Sequence, residues 1–273
     1  AVITDSYCSQ QDIKEIIGIN NTYVTYLAAD EAFKPLKIER ENFVLYVGGG
    51  NWNKNVISLL KACQKIKIPL VLVGKEFLQK PANNIETESL REVQGYIDNQ
   101  MVIAKGFIPT VELVKLYNQA KVYVQPSTYE GFGLTVLEAL ACATPVVCGK
   151  NSSIAEIGGD AVTYAEVTDV NDLAEKMLWL SDNKKEREKM GEESLKKSHE
   201  YDIHQSVTAL LADVVGSIEG GKERERRHAE AERLVAAGRE RALDYAELRK
   251  EHRRLDELAK EEGKKFKGGE PVS

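Results

Sequence analysis

From Phe43 to about Val215, short continuous apolar runs alternate with longer stretches in which apolar residues recur every three or four positions. The runs FVLYVGG, PLVLVG, MVIAKGF, KVYVQPS and TPVVCG show no polar alternation, as expected of strands buried on both faces. Between them, NKNVISLLKACQKI places Val56, Leu59, Leu60 and Cys63 on one helical stripe. ETESLREVQGYIDN, TVELVKLYNQA and GLTVLEALACA carry the same period. Thr110 is the expected N-cap of the third of these four helices. SSIAEIGG and AVTYAE follow, then helices over VNDLAEKMLWLSD and KEREKMGEESLKKSHE, with DIHQSVTALLADVV as the closing helix. This alternation predicts an α/β fold, a doubly wound parallel sheet of Rossmann-like type, covered by helices on both faces. Ligands of such sheets lie beyond the carboxyl ends of the strands, so the strand-to-helix turns are where chemistry is sought.

The pattern changes after GSIEGG (Gly216–Gly221), a small, flexible linker composition. Lys222–Lys267 reads as a long, charged α-helical tail. Tyr245, Leu248, His252, Leu255, Ala259, Glu262 and Phe266 form a thin seam, which satisfies a coiled coil only weakly because His252 and Glu262 interrupt it. A solvated helix or a fused tag fits as well. Arg usage marks the same break: Arg40, Arg91 and Arg187 are the only arginines before residue 216, and nine follow it. Fourteen acidic residues offset those nine, so the tail is not expected to bind nucleic acid. The divisions are 1–42, a domain at 43–215, a linker at 216–221 and the tail at 222–273.

The whole chain has 273 residues, net charge −6 and 42% hydrophobic residues, an ordinary globular balance. No run of about 18 apolar residues exists, so no transmembrane segment is expected. The start, AVITDSYCSQ, has no initiator Met and no basic-then-apolar secretory pattern; it is read as a fragment or processed start. Cys8, Cys63, Cys142 and Cys148 form no C-x-x-C pair and read as small hydrophobes, without metal or disulfide. A reducing, cytoplasmic setting is expected.

Two turns carry candidate chemistry. In STYEGFGLTVLEAL, Gly131 and Gly133 flank a helix that begins near Leu134. Its unpaired N–H groups and dipole favour a phosphate. Glu130 would repel that phosphate unless it takes a different ligand group, such as a sugar hydroxyl. Glu138 lies among Leu137, Leu140 and Ala141, all core positions; equally, Glu138 is a surface residue and Glu130 a carboxylate of the N-cap region. In YVGGGNWNKNV a strand meets Gly48, Gly49 and Gly50, then a helix from near Asn53, with Lys54 in reach of a phosphate. It is neither G-x-G-x-x-G nor a Walker loop, and alone it could be only a tight turn. Taken together, the two turns describe a diphosphate held between helix starts with carboxylates beside it for hydroxyls: a nucleotide-sugar.

FVLYVGGGNWNKN, AKGFIPTVELVKLYNQAKVYVQPSTYEGFGLTVLEALACATPVV and SSIAEIGGDAVTY resemble the C-terminal, donor-binding half of retaining glycosyltransferases of the GT-B fold, the large group (group 1) that includes bacterial mannosyl- and glucosyltransferases of surface polysaccharides. The resemblance covers roughly residues 43–215, and its most specific element is the Glu-x7-Glu pattern in EGFGLTVLE. It implies that Glu130 contacts the donor sugar and that the amides of Gly131, Phe132, Gly133 and Leu134, with Thr135 beside them, meet the diphosphate. Glu138 would bind the ribose, Lys54 with Gly49 and Gly50 would face the leaving diphosphate, and Gly106–Phe107 would pack beside the base. Glu130 and Lys54 are thereby the expected catalytic pair, with no metal and no cofactor beyond the nucleotide-diphosphate sugar itself, GDP-mannose or a UDP-hexose.

Two departures from the family pattern stand out. The family commonly carries Arg a few residues before the lysine, where this chain has Gly49. Residues 1–42 resemble only the last strand, helix and connection of an N-terminal acceptor domain, and all four histidines follow the donor motifs. The resemblance thus implies a donor domain that is catalytically incomplete without its N-terminal partner domain, peripheral at the inner face of the membrane or free in the cytoplasm. Two alternatives share this ancestry: a nucleotide-sugar binding module, or a fusion whose helical tail drives oligomers or recruits a partner protein.

Overall fold

The structure, a computed structural model, describes residues 2–79, 88–97, 101–203 and 206–210, all within the unit Ala1–Leu210. The chain opens with β1 (Val2–Thr4), α1 (Tyr7–Asp12), a π-helical turn and β2 (Thr22–Val24). It continues through β3 (Glu41–Val47), a 3-10 turn at Trp52–Lys54, α2 (Val56–Ile66), β4 (Leu70–Val73), a second 3-10 turn at Lys75–Leu78, α3 (Glu88–Ile97) and β5 (Val102–Lys105). Then come α4 (Thr110–Gln119), β6 (Ala120–Gln125), α5 (Leu134–Ala141), β7 (Val146–Gly149), α6 (Ser152–Gly158), β8 (Thr163–Ala165), α7 (Val170–Asp182) and α8 (Lys184–Ser198).

The six strands from β3 onward form one parallel sheet in the order β5-β4-β3-β6-β7-β8. The chain starts in the middle at β3 and works outward to β5. It then returns through α4 to the other side of β3 and works outward again. The sequence-level expectation of a doubly wound α/β fold is therefore met. The reversal falls between β3 and β6, where helices leave towards opposite faces; in sheets of this kind the crevice for a ligand lies at the strands' carboxyl ends there.

Successive residues of a strand point to opposite faces, and here both faces are covered. Val44 and Tyr46 join Leu59, Leu60, Leu173 and Met177 of α2 and α7. Leu45 and Val47 join Tyr117, Leu137, Leu140 and Ile154 of α4, α5 and α6 on the other side. Continuous apolar runs are what such two-sided burial requires. Cys63, Cys142 and Cys148 are buried and Cys8 is half-buried, all with free thiols.

Residues 1–42 lie against this domain. β1 and β2 pair in parallel as a separate two-stranded sheet, and Phe33 packs edge-on to Tyr117. Arg40 reaches across the ends of two helices. Its guanidinium donates to the carbonyls of Tyr117 (3.3 Å), Asn118 (3.1 Å), Ala120 (2.8 Å) and Ala143 (2.6 Å). These carbonyls carry the negative ends of the α4 and α5 dipoles, which the cation neutralises.

Three sequence-level expectations are corrected. Thr110 is the first residue of α4 and not its cap; Pro109 caps it in an extended conformation, and its carbonyl receives the amides of Glu112 and Leu113. The ring of Pro109 fixes φ and removes a donor that a helix start leaves unpaired anyway. The second helix begins at Val56 and not near Asn53, because Trp52–Lys54 tighten into a 3-10 turn and Asn55 takes a left-handed conformation at φ 50°. The strand expected at FVLYVGG runs from Glu41 to Val47 and stops before the last two glycines. Residues 206–210 of the closing helix are helical; the rest of it, the linker at 216–221 and the tail at 222–273 lie outside the described residues.

Candidate functional site: the crevice between β3 and β6

The loops that leave β3 and β6 face each other across the reversal. Lys54, at the end of the 3-10 turn, puts its Nζ 2.8 Å from both carboxylate oxygens of Glu130. Their side chains are 23% and 13% exposed, so the pair is screened from water more than a surface ion pair is. Oε1 of Glu130 also accepts from Gln125 Nε2 at 2.8 Å and from Ser127 Oγ at 2.7 Å. Gln125 and Ser127 are themselves buried. Backbone contacts tie the same loops: Thr128 N–H donates to the Asn53 carbonyl at 2.9 Å, and Asn53 Nδ2 donates to the Tyr129 carbonyl at 3.3 Å.

Beyond Glu130 the chain turns through Gly131, Phe132 and Gly133 into α5. Gly133 adopts φ 97° as the residue before the helix, a left-handed conformation that glycine enters without a Cβ penalty. Phe132 is buried beside Tyr26 and Tyr201. Among the described residues, the N–H groups of Gly131, Phe132, Gly133, Leu134 and Thr135 have no acceptor within the protein. The Glu130 N–H, in contrast, donates to Ser152 Oγ at 3.0 Å, and Ser153 Oγ donates to the Glu130 carbonyl at 2.8 Å. A run of unpaired amides at a helix start favours an anion.

Glu138 sits one turn into α5. Its Oε2 accepts from the Tyr117 hydroxyl at 2.9 Å. Burial raises its carboxyl to about 7 and nearby Asp30 adds to the rise, while the Tyr117 hydrogen bond works against both. Glu138 is therefore a half-buried, hydrogen-bonded acid and not a surface residue.

The glycine loop after β3 is held from below. Tyr46 hydroxyl donates to the Gly49 carbonyl at 2.7 Å, and Ser89 Oγ to the Gly50 carbonyl at 2.8 Å. The Gly50 N–H donates to Glu76 Oε2 at 2.9 Å, so this amide is already taken. A Cβ at Gly50 would come within 2.6 Å of Leu90 Cδ1, so that leucine side chain would have to shift. Gly106 and Phe107 follow the edge strand β5, two strands from β3 and about 10 Å along the rim; Phe107 is 90% exposed. The expected residues thus fall into one cluster at the reversal, Lys54 with Glu130 and the α5 amides, with Glu138 behind it and Gly106–Phe107 further along.

Sequence reading passed over Gln125, Ser127, Glu76 and Ser152. The first two had a signal, since a Gln and a Ser ending an apolar strand have to be satisfied where they are buried. Among the described residues no group of three or more His, Cys, Asp or Glu could hold a metal ion, and no helix is long and apolar enough to cross a membrane.

The fold has close counterparts among solved structures. Sucrose-phosphate synthase from Thermosynechococcus elongatus superposes with a TM-score of 0.67 at 21% identity, over 80% of this chain and 58% of that one. HepE from Anabaena, determined in complex with UDP and glucose, gives 0.66 at 18% identity, over 78% and 62%. O-antigen chain mannosyltransferase B of Escherichia coli is 34% identical over 145 residues, 50% of this chain and 36% of that protein. MMP alpha-(1->4)-mannosyltransferase of Mycolicibacterium hassiacum is 26% identical over 220 residues, 78% of this chain and 53% of the relative. The chain thus spans about a third to a half of these curated relatives.

With its single reversal between β3 and β6, the domain is a Rossmann-like α/β unit of the kind found in GT-B glycosyltransferases. The sequence profile of the glycosyl transferases group 1 matches residues 28–197, and the chain belongs to that family.

Proposed function

We propose that this chain is the donor half of a retaining hexosyltransferase and binds a nucleotide-diphosphate sugar, GDP-mannose in preference to a UDP-hexose. The observation that carries the reading is the Lys54–Glu130 pair set beside five unpaired amides at the chain reversal. The amides and Lys54 supply positive potential for a diphosphate. Glu130, freed from Lys54, accepts hydroxyls of the hexose; Glu138 accepts those of the ribose; Phe107 lies along the rim for the base. As the bond from the anomeric carbon to the diphosphate oxygen breaks, the leaving group gains negative charge. Lys54 and the α5 amides meet that charge without a metal ion, because they are fixed dipoles and a cation already in place. The mannose preference rests on the names of the two curated relatives, both mannosyltransferases. The unmatched length of those relatives supports an acceptor half beyond the donor domain, and the whole enzyme would transfer the hexose to a polysaccharide or glycolipid acceptor.

The test is a calorimetric and thermal-shift panel of GDP, UDP, ADP and their nucleosides. GDP or UDP should raise the melting temperature, and Glu138→Ala should remove most of the rise. No shift with either nucleotide at millimolar concentration overturns the donor-site reading.

A further inference from the structure

The carbonyl oxygen of Gly131 accepts hydroxyls from a distant part of the chain, Ser6 Oγ at 2.6 Å and Ser9 Oγ at 3.0 Å. Ser6 is fully buried. Its Oγ accepts the Ser9 N–H at 3.0 Å, which makes it the N-cap of α1. Glu156 of α6 fixes the same helix start, for its carboxylate accepts the N–H groups of Tyr7 at 3.2 Å and Cys8 at 3.4 Å, and the Tyr26 hydroxyl as well. The first-turn amides of α1 are thereby satisfied, and its negative partner sits at the positive end of its dipole. α1 is anchored, and it presents two hydroxyls to one carbonyl of the glycine turn.

That carbonyl shares a rigid plane with a neighbouring donor. No cis bond occurs among the described residues, so the C=O of Gly131 and the N–H of Phe132 point in opposite directions. Holding the oxygen against α1 turns the Phe132 N–H away from α1, where no described residue accepts it. Turning this peptide over would rotate ψ of Gly131, which a glycine permits, together with φ of Phe132, which the Cβ of that buried residue resists. The two serine hydroxyls add to that resistance by holding the oxygen. A turned-over peptide would offer a diphosphate the negative end of its dipole.

We infer that Ser6 and Ser9 are positioning residues: they lock the Gly131–Phe132 peptide so that the Phe132 N–H faces the diphosphate of a bound nucleotide. The inference rests on the donor-site reading above and adds residues from outside the donor motifs to it. It also makes nucleotide affinity depend on the seating of the N-terminal segment, because Glu156 and the two serines set that seating together.

The experiment is calorimetry on the full chain with GDP, guanosine, UDP and uridine. Ser9→Ala removes one of the two hydroxyls and leaves the Ser6 cap intact. It should weaken the diphosphate nucleotides by about three- to tenfold, the range of one hydrogen bond, and leave the nucleosides unchanged. Ser9→Thr restores the hydroxyl and should recover wild-type affinity, which a purely structural loss would not predict. Ser6→Ala tests the same carbonyl and should act in the same direction with a larger loss. If wild-type chain binds GDP or UDP while Ser9→Ala leaves that affinity unchanged, or weakens nucleoside and nucleotide equally, the inference falls and the donor site stands. Wild-type chain that binds neither nucleotide removes the donor site itself, and the inference with it.

Discussion

Lys54 and Glu130, 76 residues apart in the chain, meet at 2.8 Å through both carboxylate oxygens across the point where the sheet reverses. Gln125 and Ser127 also donate to Oε1 of Glu130, so that oxygen is fully engaged, while Oε2 is held by Lys54. A diphosphate that draws Lys54 away releases it. Lys54→Ala should therefore weaken GDP or UDP by roughly 10- to 100-fold, the equivalent of one charge-assisted contact of about 1.5–3 kcal/mol, and nucleosides much less. Calorimetry with both ligand types decides it; equal losses would remove Lys54 from the phosphate site.

Glu138 gives stability a pH dependence of definite sign. Its folded-state value of about 7 exceeds the usual 4.5, so the folded chain holds this proton more tightly than the unfolded chain. The resulting stabilisation is complete below pH 4.5 and is lost as pH rises to about 7. Glu138→Gln keeps an acceptor for Tyr117 and removes the buried charge. The variant should exceed the parent in stability at pH 8 by up to about 3 kcal/mol and match it near pH 4. Denaturant unfolding of both proteins at the two pH values checks this, and a difference independent of pH would contradict it.

Gly133 carries the left-handed conformation that starts α5, and its surroundings leave room for a methyl group, the nearest atom being Ile154 Cγ1 at 3.7 Å. The cost of Gly133→Ala is then backbone strain alone, about 1–2 kcal/mol. The melting temperature should fall accordingly. A neutral result would mean that the turn relaxes to negative φ.

Among the described residues, Arg40 donates to four carbonyls and to no carboxylate. Burial lowers its pKa to about 10, still far enough above neutrality to keep it charged. Arg40→Ala strands those carbonyls at two helix ends and should cost about 2–4 kcal/mol. Arg40→Lys should recover only part, because an ammonium cannot span three carbonyls on one side and Ala143 on the other. Chemical denaturation of the three proteins measures both effects.

The alternation of strand and helix was legible because parallel strands buried on both faces leave nothing polar in their runs; Val44 to Val47 is the plainest case. That Glu130 and Lys54 lie at strand-to-helix turns was legible because glycines stand close to both of them. The start of α2 was not, since Asn55 gives no composition signal of its φ of 50°. Thr110 looked the better cap, but the geometry fixed by the adjacent proline decided the helix start. Glu76 was hidden for a different reason: its link to the Gly50 amide joins two turns of the sheet. Ser6 and Ser9 contact a carbonyl more than 120 residues away, and no local pattern announces a hydrogen bond of that span.

The bond from Thr128 to the Asn53 carbonyl fastens the two walls of the crevice to each other through their main chains. The spacing of the two loops is therefore set by folding, and neither main chain has to be immobilised when a ligand arrives. Entry should be a single kinetic step without a slow rearrangement of these loops, and competing nucleotides should differ mainly in how long they stay.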